Sequence, residues 1–170
     1  MRKIFVISDT HFGHDNILKF KDAKGDHFRG DLFSSADDMD DCIVSLWNDT
    51  VSEQDIVYHL GDVFFGDGHK VLPLLKGRKR LILGNHDNGK SKYLQDCFQK
   101  ITMWRMFADI GCVLTHVPIL IPEVAKFKFN VHGHIHQNDP PTEHHINVSC
   151  EAVNYRPVDL EELMAKCGER

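Results

Sequence analysis

A chain of 170 residues with 42% apolar and 26% charged residues has the composition of one folded domain, large enough to bury roughly 70% of the surface its unfolded form exposes. That balance excludes disordered and fibrous classes, and a formal charge of -5 argues against an extended basic footprint for nucleic acid. Five cysteines (Cys42, Cys97, Cys112, Cys150 and Cys167) form no Cys-x-x-Cys pair and sit in apolar patterns, which reads as reduced core thiols of a cytoplasmic protein. The first apolar run, Ile4 to Ile7, is too short for a signal peptide or a membrane span, and no membrane partner is expected. The informative excess is histidine, at 12.

In chain order, Lys3 to Ser8 reads as a strand buried on both faces, with Asp9-Thr10-His11 at its end. Extended backbone there would point Asp9 and His11 to the same side, because strand side chains repeat with a period of two. Asp15 is placed to cap a short helix from Asn16 to Phe20, and polar Lys21 to Asp31 reads as a loop. Ser34 or Ser35 opens a helix with Met39, Cys42, Ile43, Leu46 and Trp47 on one face. Its Asp37, Asp38, Asp40 and Asp41 read as solvated acids favoured by the helix dipole.

Asp55 to Leu60 forms a second strand that delivers Gly61-Asp62, and Gly68 to Lys76 a helix limited by Pro73. Arg80 to Leu83 is a third strand, ending in Gly84-Asn85-His86-Asp87. A helix from Ser91 turns Tyr93, Leu94, Cys97 and Phe98 inward, and Ile101 to Phe107 reads as one further strand. Gly111 to Thr115 leads to His116, and Phe127 to Val131 leads to His132-Gly133-His134-Ile135-His136. After the Pro140-Pro141 turn, His145 to Ser149 returns as a hairpin partner, and Asp159 caps a last helix holding Leu160, Leu163 and Met164. Strands alternating with helices early and hairpin-like pairs late favour an α/β sandwich.

Strand after strand stops at a metal-capable side chain. Collected in order these are Asp9, His11, Asp62, Asn85, His116, His134 and His136, all oxygen or nitrogen donors and none a thiolate. Such a mixture suits Mn, Fe, Ni or Zn at a reactive site better than structural zinc. The set is too large for one tetrahedral ion and fits two divalent ions that share a carboxylate. With Asp9 and Asp62 as the carboxylates the pair keeps a positive surplus, which attracts phosphate. A two-ion site lowers the pKa of a bound water from 15.7 toward ~7, giving a hydroxide that attacks phosphorus directly. His86 is placed to protonate the leaving oxygen, with Asp87 orienting its ring.

The set Asp9-x-His11, Gly61-Asp62, Gly84-Asn85-His86-Asp87, His116 and Gly133-His134-x-His136 resembles the calcineurin-like metallophosphoesterase family, matched in order over residues 8 to 136. The resemblance implies a single domain built as a four-layer sandwich, two mixed β-sheets flanked by helices. It also implies roles: Asp9, His11 and His136 on one metal, Asn85, His116 and His134 on the other, Asp62 bridging, and His86 catalytic. Ser8-Asp9-Thr10-His11-Phe12-Gly13-His14 is similar to small bacterial and phage members without an added domain.

The expectation is therefore a phosphoesterase with two divalent ions, Mn foremost, acting on phosphate esters that include nucleotides. Phosphodiesters stand before phosphomonoesters and nucleic-acid ends. A non-catalytic interaction scaffold and a dimetal amide hydrolase are the other classes considered. Arg29 reads as a phosphate clamp or a solvated loop residue, His14 as a substrate contact or a turn residue, and His132 as packing behind the ligands. Trp47 and Trp104 read as core residues.

Overall fold

In the computed structural model, which describes residues 2–22, 24–122 and 126–168, the apolar runs of the sequence become two mixed sheets. The first contains β1 (Ile4–Ile7), β2 (Ile56–His59), β3 (Arg78–Ile82), β4 (Lys100–Thr102) and β9 (Val158–Asp159), in the order β4-β3-β2-β1-β9. Neighbours among β1 to β4 are parallel, and β9 is antiparallel to β1. The second sheet has the order β5-β6-β7-β8, formed by β5 (Arg105–Phe107), β6 (Cys112–Leu114), β7 (Phe129–His132) and β8 (His145–Asn147). Here β5 is antiparallel to β6, and β6, β7 and β8 are parallel.

Period-two alternation sorts the first sheet's side chains between two cores. Phe5, Ile7, Val57 and Leu81 face one cluster, shared with Met39, Ile43 and Trp47 of α1 (Ala36–Thr50) and Leu94 of α2 (Lys92–Cys97). Val6, Tyr58, Leu60 and Ile82 face the other, where they meet Cys112, Leu114, Phe129 and Val131 of the second sheet and Leu160 and Met164 of α3 (Leu160–Gly168). Both faces of the first sheet are thus buried at its centre, which is why β1 is apolar on both sides and β2 nearly so, while the polar residues of β3 and β4 gather where those strands are half-buried or exposed. Each fully buried side chain of this kind contributes about 1.5–3 kcal/mol.

Helix α1 starts where the sequence signals it: Ser35 Oγ accepts the N–H of Asp38 (3.1 Å). Other expectations require correction. Ile101 to Phe107 is not one strand, because the chain leaves the first sheet after Thr102, turns at Met103-Trp104 and enters the second sheet as β5. The segment after the Pro140-Pro141 turn is no hairpin partner; residues 133–144 carry the chain back to the start of β7, so β8 runs parallel to it from the Asn130–His145 pair. Two helices are 3-10 turns, Asp15–Lys19 and Gly66–Leu74, the second holding Pro73. Asp15 does not cap the first; its carboxylate accepts the Ala36 N–H. Tyr93 is exposed and stacks on His69 instead of turning inward.

All five cysteines are free. Among the described residues no helix is long and apolar enough to cross a membrane.

Candidate metal centre

Every parallel strand that precedes a predicted ligand points its C-terminal end toward one place. The two sheets meet there: Ser8, just past β1, donates its N–H to Val148 (2.9 Å) and accepts that of Cys150 (3.0 Å). The ligands are not on extended strand ends, however. Asp9, His11, Asp62, His134 and His136 all lie at positive φ, between 50° and 71°. Left-handed backbone is costly for residues with a Cβ, and its concentration at these positions is the signature of a functional turn held by its surroundings. Asp9 and His11 therefore converge because the chain curls past β1, not because of strand parity.

Glycines make that curl possible. Gly61 has φ +99°, and a Cβ there would stand 2.5 Å from the Gly84 nitrogen and 2.7 Å from His116 Nδ1. A Cβ on Gly133 would collide with Ser8 Oγ and the Asp9 carboxylate.

The predicted ligands gather into two groups, Asp9 with His11 and His136, and Asp62 with His116 and His134, each with donor atoms within 4.8 Å of one another. Asp62 links the groups. Its Oδ2 stands 3.8 Å from His11 Nε2 on one side and 3.6 Å from His116 Nε2 on the other. These separations are too long for hydrogen bonds and suit pairs of donors that share an ion at about 2.1 Å from each. Oδ1 of Asp62 accepts the His86 N–H (3.0 Å), and the ring nitrogens of His11 and His116 both face Oδ2.

Unpartnered atoms point the same way. Asp9 Oδ2 accepts from the His134 N–H (2.8 Å) and Ser149 Oγ (3.1 Å), while its Oδ1 and His11 Nε2 are buried without a hydrogen-bond partner and lie 3.8 Å apart. His116 donates Nδ1–H to the Leu60 carbonyl (2.7 Å), leaving the Nε2 lone pair 2.8 Å from Asn85 Oδ1. Two acceptors facing each other so closely fit a shared cation. Burial holds the His11 pKa down at about 4, so its imidazole is neutral and able to ligate. Burial opposes ionisation of Asp9, but His11, His136 and His116 more than offset it and keep the carboxyl below its usual range.

A second layer of residues fixes this geometry, and the sequence reading missed its centre, Glu151. This buried carboxylate accepts Nδ1–H of His136 (3.0 Å) and Nε–H of Arg29 (2.7 Å) on the same oxygen. Burial would raise its pKa, but Arg29 and His136 prevail and bring it to about 2. Arg29 is neither solvated nor a phosphate clamp: it is 1% exposed and donates to the carbonyls of Asp9 and Thr10. The available signal was weak, a lone Glu just after a Ser-Cys strand end.

Asp87 also has a different role from the one expected. Its carboxylate accepts the N–H groups of Gly84 (2.8 Å), Asp62 (2.9 Å) and Val63 (3.0 Å), joining two ligand loops, and it makes no hydrogen bond to the His86 ring. Asp40 is buried, not solvated, and accepts the Gly13 N–H (2.9 Å) beneath the first loop. His59 is likewise structural: it accepts the Gly61 N–H on Nδ1 and donates from Nε2 to Thr10 Oγ1 (2.9 Å).

His86 stands at the open side, its side chain 51% exposed and Nε2 4.0 Å from Asp62 Oδ2. His14 stacks on Phe65 with centroids 4.0 Å apart and places Nδ1 3.3 Å from His11 Nδ1, behind the ligand. His132 is buried, donating Nδ1–H to the Gly133 carbonyl (2.8 Å).

No family model matches the chain. The uncharacterized protein MJ1445 of Methanocaldococcus jannaschii is 34% identical over 182 residues, covering 100% of this chain and 93% of its own length. The Gene 66 protein of Mycobacterium phage D29 is 27% identical over 169 residues, or 80% of this chain and 79% of that protein. Among solved structures, the protein of unknown function AQ665 from Aquifex aeolicus superposes with a TM-score of 0.76 at 25% identity, covering 98% of this chain and 100% of that one. With a relative so similar along its whole length, the chain belongs to the family of the Methanocaldococcus protein MJ1445.

Proposed function

We propose that this protein is a phosphoesterase dependent on two divalent metal ions. Its fold in this reading is that of the calcineurin-like metallophosphoesterases, with the fourth layer reduced to the chain at 117–122 and 126–128. The observation that carries the proposal is the convergence of two ligand groups on one oxygen, Asp62 Oδ2, beside the unpartnered Asp9 Oδ1 and His11 Nε2. Asp9, His11 and His136 would hold one ion and Asn85, His116 and His134 the other, with Asp62 shared. Oxygen and imidazole donors without thiolate suit Mn, with Fe, Ni and Zn as alternatives.

Such ions supply a water of lowered pKa and Lewis-acid stabilisation of charge on a phosphoryl group. The chain's own contribution is placement. Asp9 and Asp62 are the only carboxylates among the proposed ligands, so the loaded site keeps positive charge and draws an anionic ester. Glu151 fixes the His136 ring, and Asp87 locks the Asp62 turn against Gly84. His86, bound through its backbone to Asp62 Oδ1 and free at its ring, delivers a proton to the departing oxygen. The half-exposed His86 ring leaves the site open to solvent, and on that openness phosphodiesters are ranked before phosphomonoesters.

The test is a manganese-supplemented screen of phosphomonoesters, linear diesters and cyclic nucleotides, with metal content measured on the same preparation. Turnover abolished by chelation and restored by Mn, with two ions per chain, is expected. Full activity with one equivalent or none overturns the two-metal reading, and two bound ions with no turnover of any ester overturns the activity.

A further inference from the structure

The outer face of the second sheet carries a groove that the metal centre does not use. Val113 of β6 and Met106 of β5 alternate away from the inter-sheet core and form its floor, and Val117 and Ile119 form a wall. Asn85 and His116 close one end, so the groove of ≈ 620 Å³ opens directly onto the proposed metal ligands. Among the described residues no lysine, arginine, aspartate or glutamate lines it. The volume is that of a small-molecule site, lined mainly by apolar side chains with a few polar groups at one end.

The groove is built before any ligand arrives. Asn130, fully buried on β7, accepts the Ile119 N–H (2.9 Å) and donates to Thr115 Oγ1 (2.9 Å). His145 Nε2 donates to the Ile119 carbonyl (2.9 Å), and Thr115 Oγ1 donates to that of Val117 (2.6 Å). The wall is therefore pinned to the sheet at both polar groups of Ile119.

The rim is formed at the corner between β4 and β5, where Met103 is 66% and Trp104 58% exposed. Trp104 was expected in the core; instead it offers a free indole face beside the groove. On its other side lies a smaller cavity of ≈ 230 Å³ lined by Arg80, Lys100 and Arg105, which shares Trp104 and Met106 with the groove. An acyl chain would gain nothing from cations flanking an aromatic plate. A flat ring gains from stacking on that plate.

We propose that this groove is the site for the organic group of the substrate, and that the group is a planar aromatic ring stacked on Trp104 while its phosphate lies at Asn85 and His116. The proposal rests on the phosphoesterase reading for the phosphate end only. Two sources carry the same chemistry, a nucleobase and a simple aryl group.

The experiment measures binding to the Mn-loaded full chain by tryptophan fluorescence and calorimetry, using adenosine monophosphate, 1-naphthyl phosphate, glycerol phosphate and inorganic phosphate. Both aromatic esters are expected to bind at least about ten-fold tighter than glycerol phosphate, the scale of one base–aromatic stack, and the tighter of the two names the source. Trp104→Ala should erase that preference while leaving Mn and inorganic phosphate affinity unchanged, and Trp104→Phe should retain most of it. Equal binding of aromatic and glycerol esters, a uniform loss for every ligand in Trp104→Ala, or a sedimenting dimer that Trp104→Ala dissociates each overturns the proposal. Because binding is read without turnover, an intact aromatic preference in a protein that hydrolyses no ester would sink the phosphoesterase reading and leave the groove standing.

Discussion

Replacing Asp62 by Asn is the most demanding perturbation of the proposed centre, because it changes one charge and no volume. Oδ1 and its hydrogen bond from the His86 N–H survive as an amide oxygen, so the loop should keep its shape. What disappears is the anion that Oδ2 offers at 3.8 Å from His11 and 3.6 Å from His116. Loss of a hydrogen-bond partner behind a ligand already costs 10–100-fold in metal affinity, so a directly shared carboxylate should cost at least about 100-fold at each position, or about 2.7 kcal/mol per ion.

The metal-free protein should respond in the opposite direction. Burial raises the Asp62 carboxyl pKa, so its ionised form is disfavoured in the fold. A carboxyl shifted this way loses stability as pH rises through its folded pKa, and Asn removes that loss. Asp62→Asn should then raise the apo unfolding midpoint by about 2–4 °C, the scale of about 1 kcal/mol in a chain of this length, while lowering the Mn-loaded midpoint. Calorimetric Mn titration with paired thermal scans measures both. One site left at wild-type affinity would refute the bridge, and an apo midpoint that falls would refute the burial argument.

Three other variants or conditions test separate parts of the site. His86→Asn should bind both ions normally and lose turnover by roughly 100-fold or more, with a smaller loss for esters of very good leaving groups; equal losses across leaving groups would assign His86 to phosphate binding. Mn at about 100 times its dissociation constant should stabilise the chain by about 2.7 kcal/mol per site, which a chelator reverses in a thermal scan. Asp40, whose pKa burial pushes up to about 7, should make stability fall as pH rises from about 4 to 7, because the fold holds a proton that the unfolded chain releases. Asp40→Asn keeps an acceptor for the Gly13 N–H, so its midpoint advantage over the parent should grow across that window and level off above it; a constant difference would exclude Asp40 as the source.

The residues of the two Asp/His groups were legible in the sequence because each follows a strand of three or four residues rich in apolar side chains, and a strand's end is easier to place than its partner. Pairing was not legible. β8 looked like a hairpin partner because a Pro-Pro turn precedes it, but residues 133–144 lead back past the His134 and His136 turns to the other end of β7. The split of Ile101 to Phe107 between sheets was hidden because Met103 and Trp104 carry the same apolar character as the strands they separate. Asp9 and His11 were brought together for the wrong reason: alternation predicted what two left-handed residues produce. Local propensity assigns that conformation to glycine, so a non-glycine residue in it is visible only once the fold holds it there.

Glu151 was invisible for a related reason. It is 122 residues from Arg29, and the joining of the two sheets around Ser8 and Ser149 brings the two together. One oxygen of this carboxylate faces both Arg29 Nε at 2.7 Å and His136 Nδ1 at 3.0 Å. Arg29 in turn donates to the carbonyls of Asp9 and Thr10, so a single buried ion pair holds a ligand ring from the second sheet and a ligand loop from the first. Breaking one half should be worse than losing a hydrogen bond, since Arg29 would stay charged and buried without its counter-ion, a situation that costs about 3–5 kcal/mol. Glu151→Gln should therefore lower the thermal midpoint and weaken Mn by about 10–100-fold at the Asp9, His11 and His136 group, sparing the other group. Arg29→Met, which removes the stranded charge, should restore stability to Glu151→Gln without restoring that metal site. If the double variant is no more stable than the single, the ion pair is not what joins the two sheets at the metal centre. If instead both metal positions weaken equally in Glu151→Gln, His136 does not belong to one ion alone.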